Sequence, residues 1–169
     1  MSQKIENEKY SSVEYWNDRF SNEKEYDWIG DYEILKDVIR KNLKKQDRIL
    51  MVGCGNSKLS EQMYQDGFTN ILSTDISEVC IANQKLTHPH LEWEVADLRN
   101  MKNLENELFD AVIEKSTFDC LLVKEKSPWH PSEEAEKMMG KIYIIMLEFS
   151  VKSTSLIESG NSGFLSSAR

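Results

Sequence analysis

Arg48-Ile49-Leu50-Met51-Val52-Gly53-Cys54-Gly55-Asn56-Ser57 is the stretch that decides the fold. The apolar run Ile49 to Val52, with no polar alternation, reads as a parallel strand buried on both faces. Gly53-Cys54-Gly55 ends it as a tight turn, and a helix is expected from Asn56 or Ser57, with Leu59 and Met63 four apart and Gly67 as its stop. The pattern repeats downstream. Strand Asn70–Thr74 is closed by Asp75, helix Ser77–Leu86 follows, and strand Leu91–Ala96 is closed by Asp97. A fourth strand is expected over Phe109–Glu114, and a long helix from Pro131 or Ser132 to about Phe149. Upstream, an amphipathic helix is predicted over 31–45, capped by Asp31 and striped by Ile34, Leu35, Val38, Ile39 and Leu43. A short helix over 11–20 and a loop precede it. Strands alternating with helices predict an α/β fold, and right-handed crossovers make it a Rossmann-like, doubly wound, mostly parallel sheet in a three-layer sandwich.

The chain of 169 residues is 40% hydrophobic and 30% charged, the balance of one folded domain. Its 21 basic residues face 29 acidic ones, a formal charge of −8 that argues against a general nucleic-acid surface. No apolar run approaches the ~20 residues of a membrane span, and the polar Met1–Lys9 is no signal peptide. Cys54, Cys80 and Cys120 contain no C-x-x-C, so neither a structural metal nor a disulfide framework is expected. A reduced, cytoplasmic setting fits. Residues 1–9 are expected to be a disordered leader. Residues 10–30 concentrate aromatic side chains, and Val151 to Arg169 is a divergent tail rich in Ser and Gly.

A spacing then points to a ligand. Asp75 ends the second strand twenty residues after Gly55. Bare backbone at the glycines lets a ligand lie close, the helix start offers amide donors, and the carboxylate can accept from two ribose hydroxyls. Alone, G-x-G would be a tight turn and Asp75 a helix cap; strand, helix and acid together favour nucleotide binding. A dinucleotide fingerprint would place a third glycine at 58, where Lys58 stands, which disfavours an NAD-dependent oxidoreductase. No G-K-[ST] follows, so there is no P-loop. Asp97 closes the third strand in Val95-Ala96-Asp97-Leu98. It suits an adenine amine, with the next amide on a ring nitrogen, and serves equally well as a turn cap. Ribose from strand two and adenine from strand three, without a phosphate clamp, describe S-adenosylmethionine.

Several stretches carry a family resemblance: Val13-Glu14-Tyr15-Trp16-Asn17-Asp18-Arg19-Phe20, Tyr26-Asp27-Trp28-Ile29-Gly30, the glycine turn with Asn56-Ser57, and Phe109-Asp110-Ala111-Val112-Ile113-Glu114-Lys115-Ser116-Thr117-Phe118-Asp119. Through them the chain resembles class I S-adenosylmethionine-dependent methyltransferases, and within these the lysine methyltransferases of the methyltransferase-like 13 and elongation factor 1-alpha lysine methyltransferase 4 group. The match runs from Tyr10 to about Phe149, which sets a methyltransferase domain at 10–150. The resemblance implies that Gly53 and Gly55 line the methionine moiety. It implies that Asp75 and Ile76 hold ribose and adenine, that Asp97 and Leu98 read the adenine edge, and that Lys115 sits close to the cofactor. Tyr15, Arg19 and Trp28 would close over it. The implied partner is a protein presenting a lysine, with neither nucleic acid nor membrane.

Methyl transfer from a sulfonium is an in-line displacement, so orientation carries much of the catalysis. A lysine, with a pKa of about 10.4 in water, must first lose a proton. Glu114 and Asp119 are candidates to orient it, although Asp119 could equally cap the following helix. His88, His90 and His130 sit in loops and form no catalytic arrangement. Two departures stand out. Ser116 replaces the family's glycine, and after the long helix the family's last strands are not recognisable, with Gly163-Phe164-Leu165-Ser166 as a weak fifth strand at most. The expectation is an apparently shortened sheet, with a non-catalytic cofactor-binding or interaction module as the alternative to an active enzyme.

Overall fold

The structure, a computed structural model, describes residues 7–101, 104, 109–127 and 130–149. A 3₁₀ turn, Glu8–Ser11, leads into α1 (Val13–Asn22), α2 (Tyr32–Asn42), β1 (Ile49–Val52), α3 (Leu59–Gln65), β2 (Ile71–Asp75), α4 (Glu78–Thr87), β3 (Glu92–Val95), β4 (Ala111–Glu114), α5 (Thr117–Leu121) and α6 (Glu133–Phe149). The four strands are parallel and lie in the order β3-β2-β1-β4. This is the α/β, doubly wound sheet expected from the sequence.

The buried run Ile49–Val52 serves two cores at once, because successive side chains point to opposite faces. Ile49 and Met51 pack with Ile39 of α2, Leu59 and Met63 of α3 and Ile81 of α4. Leu50 and Val52 pack on the other side with Leu98, Met101, Leu104 and Ile142 of α6. The sheet is therefore the middle of three layers.

Local chemistry sets the ends of the elements. Asp31 accepts from the Ile34 amide at 3.3 Å and starts α2. Gly67, at φ +97°, ends α3: its amide donates to Tyr64 O at 2.9 Å and the Phe68 amide to Met63 O at 3.0 Å, the Schellman pattern.

Boundaries shift where side chains compete with the helix. The helix predicted over 31–45 stops at Asn42, because Asp47 accepts from the Lys44 amide at 2.8 Å and draws the chain into a turn. The helix predicted from 56 begins at Leu59, whose amide is taken by the Ser57 hydroxyl at 3.0 Å. The fourth strand starts at Ala111 rather than Phe109. The 3₁₀ turn takes in Glu8 and Lys9 from the end of the expected leader, with Ser12 N donating to Lys9 O at 3.0 Å. The tail 151–169, with its candidate fifth strand, lies outside the described residues.

Candidate functional site

The chain runs outward from β1 to β2 and β3, then returns to β4 on the other side of β1. Such a reversal leaves a crevice at the carboxyl ends of the strands. Register brings the site there. Val52 pairs with both Thr74 and Glu114, so the residues that follow, Gly53, Asp75 and Lys115, emerge side by side.

The glycine turn needs its glycines. Gly53 and Gly55 have φ of +61° and +54°, the left-handed region that other residues avoid. A Cβ on Gly53 would also collide with Thr117 Oγ1. Asp75 fixes this turn: Oδ2 accepts from the Gly55 amide and Oδ1 from the Ser77 amide, both at 2.9 Å. Burial pushes the Asp75 carboxyl above its ordinary range, against the opposing pull of those amides. Gln84 Nε2 holds Gly55 O from α4 at 2.9 Å.

Helix α1 forms the roof. Ser77 Oγ donates to Asn17 Oδ1 at 2.6 Å, Asn83 Nδ2 to Phe20 O at 2.9 Å and Asn56 Nδ2 to Glu23 O at 3.1 Å. Arg19 pairs with Glu23 at 2.9 Å, and its guanidinium lies 5.0–5.6 Å from the ring centres of Trp16, Tyr26 and Trp28. Lys115 Nζ ties the following loop down, donating to Trp28 O at 3.0 Å and Asp27 Oδ1 at 3.2 Å.

Beneath this roof is a cleft with about 1150 Å³ of atom-free space, its open mouth included. Of the residues expected from the sequence, Arg19, Trp28, Gly53, Gly55, Asp75, Ile76, Asp97, Leu98 and Lys115 line it. Tyr15, Glu114 and Asp119 do not. Tyr15 stands behind Arg19, its hydroxyl 3.4 Å from Nη1. Glu114 turns into the fold: Oε1 accepts the Thr117 and Phe118 amides and caps α5. Burial pushes its carboxyl up to about 7, against those two amides. Asp119 is exposed on α5.

Asp97 serves as the turn cap weighed from the sequence and also stands at the cleft. It lines the cleft, and it accepts the Arg99 amide at 2.9 Å and pairs with that guanidinium at 2.7 Å. Burial raises its carboxyl, but the bonds from Arg99 outweigh this and hold it below the usual range.

Sequence reasoning missed the residues that hold the site in place: Asn17, Asp27, Asn56 and Gln84. Gln84 did carry a signal, a polar residue on the buried stripe Cys80-Ile81-Gln84 of α4. Cys120 also lines the cleft, with burial pushing its thiol up to about 12.

The donor set suits a nucleoside with an amino-acid arm. The Asp75 and Asp97 carboxylates end adjacent strands, and left-handed glycine backbone lies beside them.

A family model described as "Methyltransferase domain" matches residues 50–139. EEF1A lysine methyltransferase 4 of Bos taurus is 37% identical over 139 residues, covering 79% of this chain and 54% of that protein. The eEF1A lysine and N-terminal methyltransferase of Danio rerio is 36% identical over 124 residues, 70% of this chain and 18% of that protein. The chain thus spans about half the length, or less, of these curated relatives. Among solved structures, a TehB-like SAM-dependent methyltransferase from Corynebacterium glutamicum superposes with a TM-score of 0.54 at 17% identity, over 92% of this chain and 74% of that one. The amino pentose methyltransferase CalS10 from Micromonospora echinaspora, solved with SAM bound, gives 0.53 at 15% identity, over 83% and 50%. These two likenesses concern the fold.

Proposed function

The chain belongs to the methyltransferase domain family, and from that premise we propose that it is an S-adenosylmethionine-dependent protein-lysine N-methyltransferase. EEF1A, named in its relatives, is the substrate to test first. The observation that carries the reading is the buried Asp75 carboxylate, held by the Gly55 and Ser77 amides and lining the cleft beside Asp97 and Leu98.

In this reading Asp75 takes the ribose hydroxyls, using the lone pairs its two amides leave free. Asp97 and the Leu98 amide meet the adenine edge, and Ile76 packs against the ring. Gly53 and Gly55 give the methionine arm bare backbone, while Arg19 and Trp28 cover it. Bound there, S-adenosylmethionine supplies an electrophilic methyl group carried on a sulfonium. The aromatic residues Tyr10, Tyr26 and Trp28 line the same cleft, and their rings exclude water from an incoming amine. Exclusion of water favours the neutral amine that the displacement needs. Lys115, paired with Asp27, positions the Trp28 loop. The acidic balance of the chain suits a lysine-bearing partner, and its three free cysteines accord with a cytoplasmic location.

Calorimetry against S-adenosylmethionine and NAD tests the cofactor. Binding of the first alone is expected, and Asp75→Ala should weaken it at least about a hundred-fold, the worth of two hydrogen bonds to a charge. Unchanged affinity in that variant, or a preference for NAD, would refute the assignment. Transfer of a labelled methyl group to a lysine of EEF1A is then expected. Tight cofactor binding with no labelled protein would instead favour a non-catalytic cofactor-binding module, a reading that the turning away of Glu114 from the cleft also suits.

A further inference from the structure

Behind the cleft wall lies a cluster that the methyl-transfer reading does not use. Cys54 Sγ, Cys80 Sγ and an Asp75 carboxylate oxygen all lie within 4.8 Å of one another. The three residues are 8%, 1% and 7% exposed. They come from different elements: the glycine turn, the first turn of α4 and the end of β2.

We propose that Cys54, Cys80 and Asp75 form a binding site for a soft divalent cation of the zinc class, and that an ion there excludes the cofactor. Metal–sulfur bonds of about 2.3 Å and metal–oxygen bonds of about 2.0–2.2 Å put tetrahedral ligands about 3.5–3.8 Å apart. The three atoms therefore need to close by no more than about an ångström. Two thiolates and a carboxylate are a recognised donor set for such an ion, and water completes the fourth position. The amides of Gly55 and Ser77 already orient the carboxylate, as outer partners do in built metal sites. A route also exists: Cys54 and Asp75 line the open cleft, with Cys80 behind them.

On binding, both thiols release their protons to solvent, each sulfur donates a pair to the dication, and the site keeps one net negative charge. The Asp75 carboxylate, once on the metal, is withdrawn from the ribose. By linkage, cofactor and ion must then weaken each other equally. That antagonism rests on the proposed cofactor reading; the metal site itself does not.

The test uses the whole chain, reduced with a phosphine and titrated with Co²⁺ as an optical probe. One equivalent should bind with a thiolate-to-cobalt charge-transfer band, and Zn²⁺ should displace it. Cys80→Ala should weaken zinc at least about a hundred-fold, with cofactor affinity unchanged. Cys120→Ala should bind zinc as before. No charge-transfer band, a band that survives in Cys80→Ala, or zinc lost in Cys120→Ala would each overturn the site. With the site established, saturating S-adenosylmethionine should weaken zinc at least about ten-fold; no effect would overturn the antagonism. A metal-free chain that ignores S-adenosylmethionine would count against the proposed function, while the cobalt result would still decide the metal site.

Discussion

At Ser116 the backbone adopts φ +68°, ψ +10°, a left-handed conformation with a side chain that does not favour it. Its hydroxyl is buried without a hydrogen-bond partner. A left-handed non-glycine residue costs of order 1–3 kcal/mol, so Ser116→Gly should stabilise the chain by about 1 kcal/mol in urea unfolding; a loss of stability would refute the strain. The sequence already marked this serine as standing where its family has glycine, but the reason is a torsion angle that residue type alone does not report. Glu114 teaches the reverse lesson. Strand position made it a candidate for the site, whereas the amides of Thr117 and Phe118 turn it inward as a cap. An unfolded glutamate titrates near 4.5 and this one near 7, so folding takes up a proton between those values. The stability tied to the neutral form is complete below pH 4.5 and is lost as pH rises through 7. Glu114→Gln keeps the capping oxygen and removes the charge. It should match the parent near pH 4.5 and exceed it at pH 8 by on the order of 3 kcal/mol, again by urea unfolding. Equal stability at both values would exclude the buried ionisation.

Among the elements, α4 joins the roof helix to β2 and β3 of the sheet. Its cap, Ser77, is fully buried; the hydroxyl accepts from the Cys80 amide at 3.1 Å and donates to Asn17 of the roof at 2.6 Å. Ser77→Ala should cost about 1 kcal/mol from the cap alone. It should also raise the dissociation constant for S-adenosylmethionine, because α1 loses one of its ties; calorimetry beside thermal unfolding separates the two effects, and unaltered binding would show that the tie does not shape the site. The helix start was legible, since a serine before Glu78 and an apolar stripe announces it. The tie to Asn17 was not, because it joins residues sixty positions apart through polar side chains that follow no period. The same holds for α2, where Asp31 was a visible cap but the early stop depended on how Asp47 bonds across its turn.

For the molecule as a whole, the two sheet faces are built differently. Among the described residues, α2, α3 and α4 pack on the first. On the second, among the described residues, the fully buried Ile142 of α6 meets Leu98, Met101 and Leu104 from the connection after β3. Ile142→Ala should therefore cost about 3 kcal/mol in urea unfolding, within the range for large-to-small changes in a packed core. A change under about 1 kcal/mol would show that α6 contributes little to the fold. The apolar run Ile49–Val52 announced that both faces of the sheet are covered, and the turn after it located the crevice. The sequence did not reveal that short apolar residues between β3 and β4 complete the second layer, since Leu98, Met101 and Leu104 show no strand or helix period. The aromatic roof has a practical consequence of its own. Trp16 and Trp28 border the cleft, each ring centre 5.6 Å from the Arg19 guanidinium, whereas Trp93 is buried in the core away from the cleft. Any molecule entering the cleft changes the surroundings of Trp16 and Trp28 and leaves Trp93 unaltered, while the fourth tryptophan, Trp129, lies outside the described residues. The protein thereby carries its own optical gauge of occupancy: emission on excitation of tryptophan follows binding with no label attached, and replacing Trp28 by Phe subtracts one contributor so that the signal can be assigned.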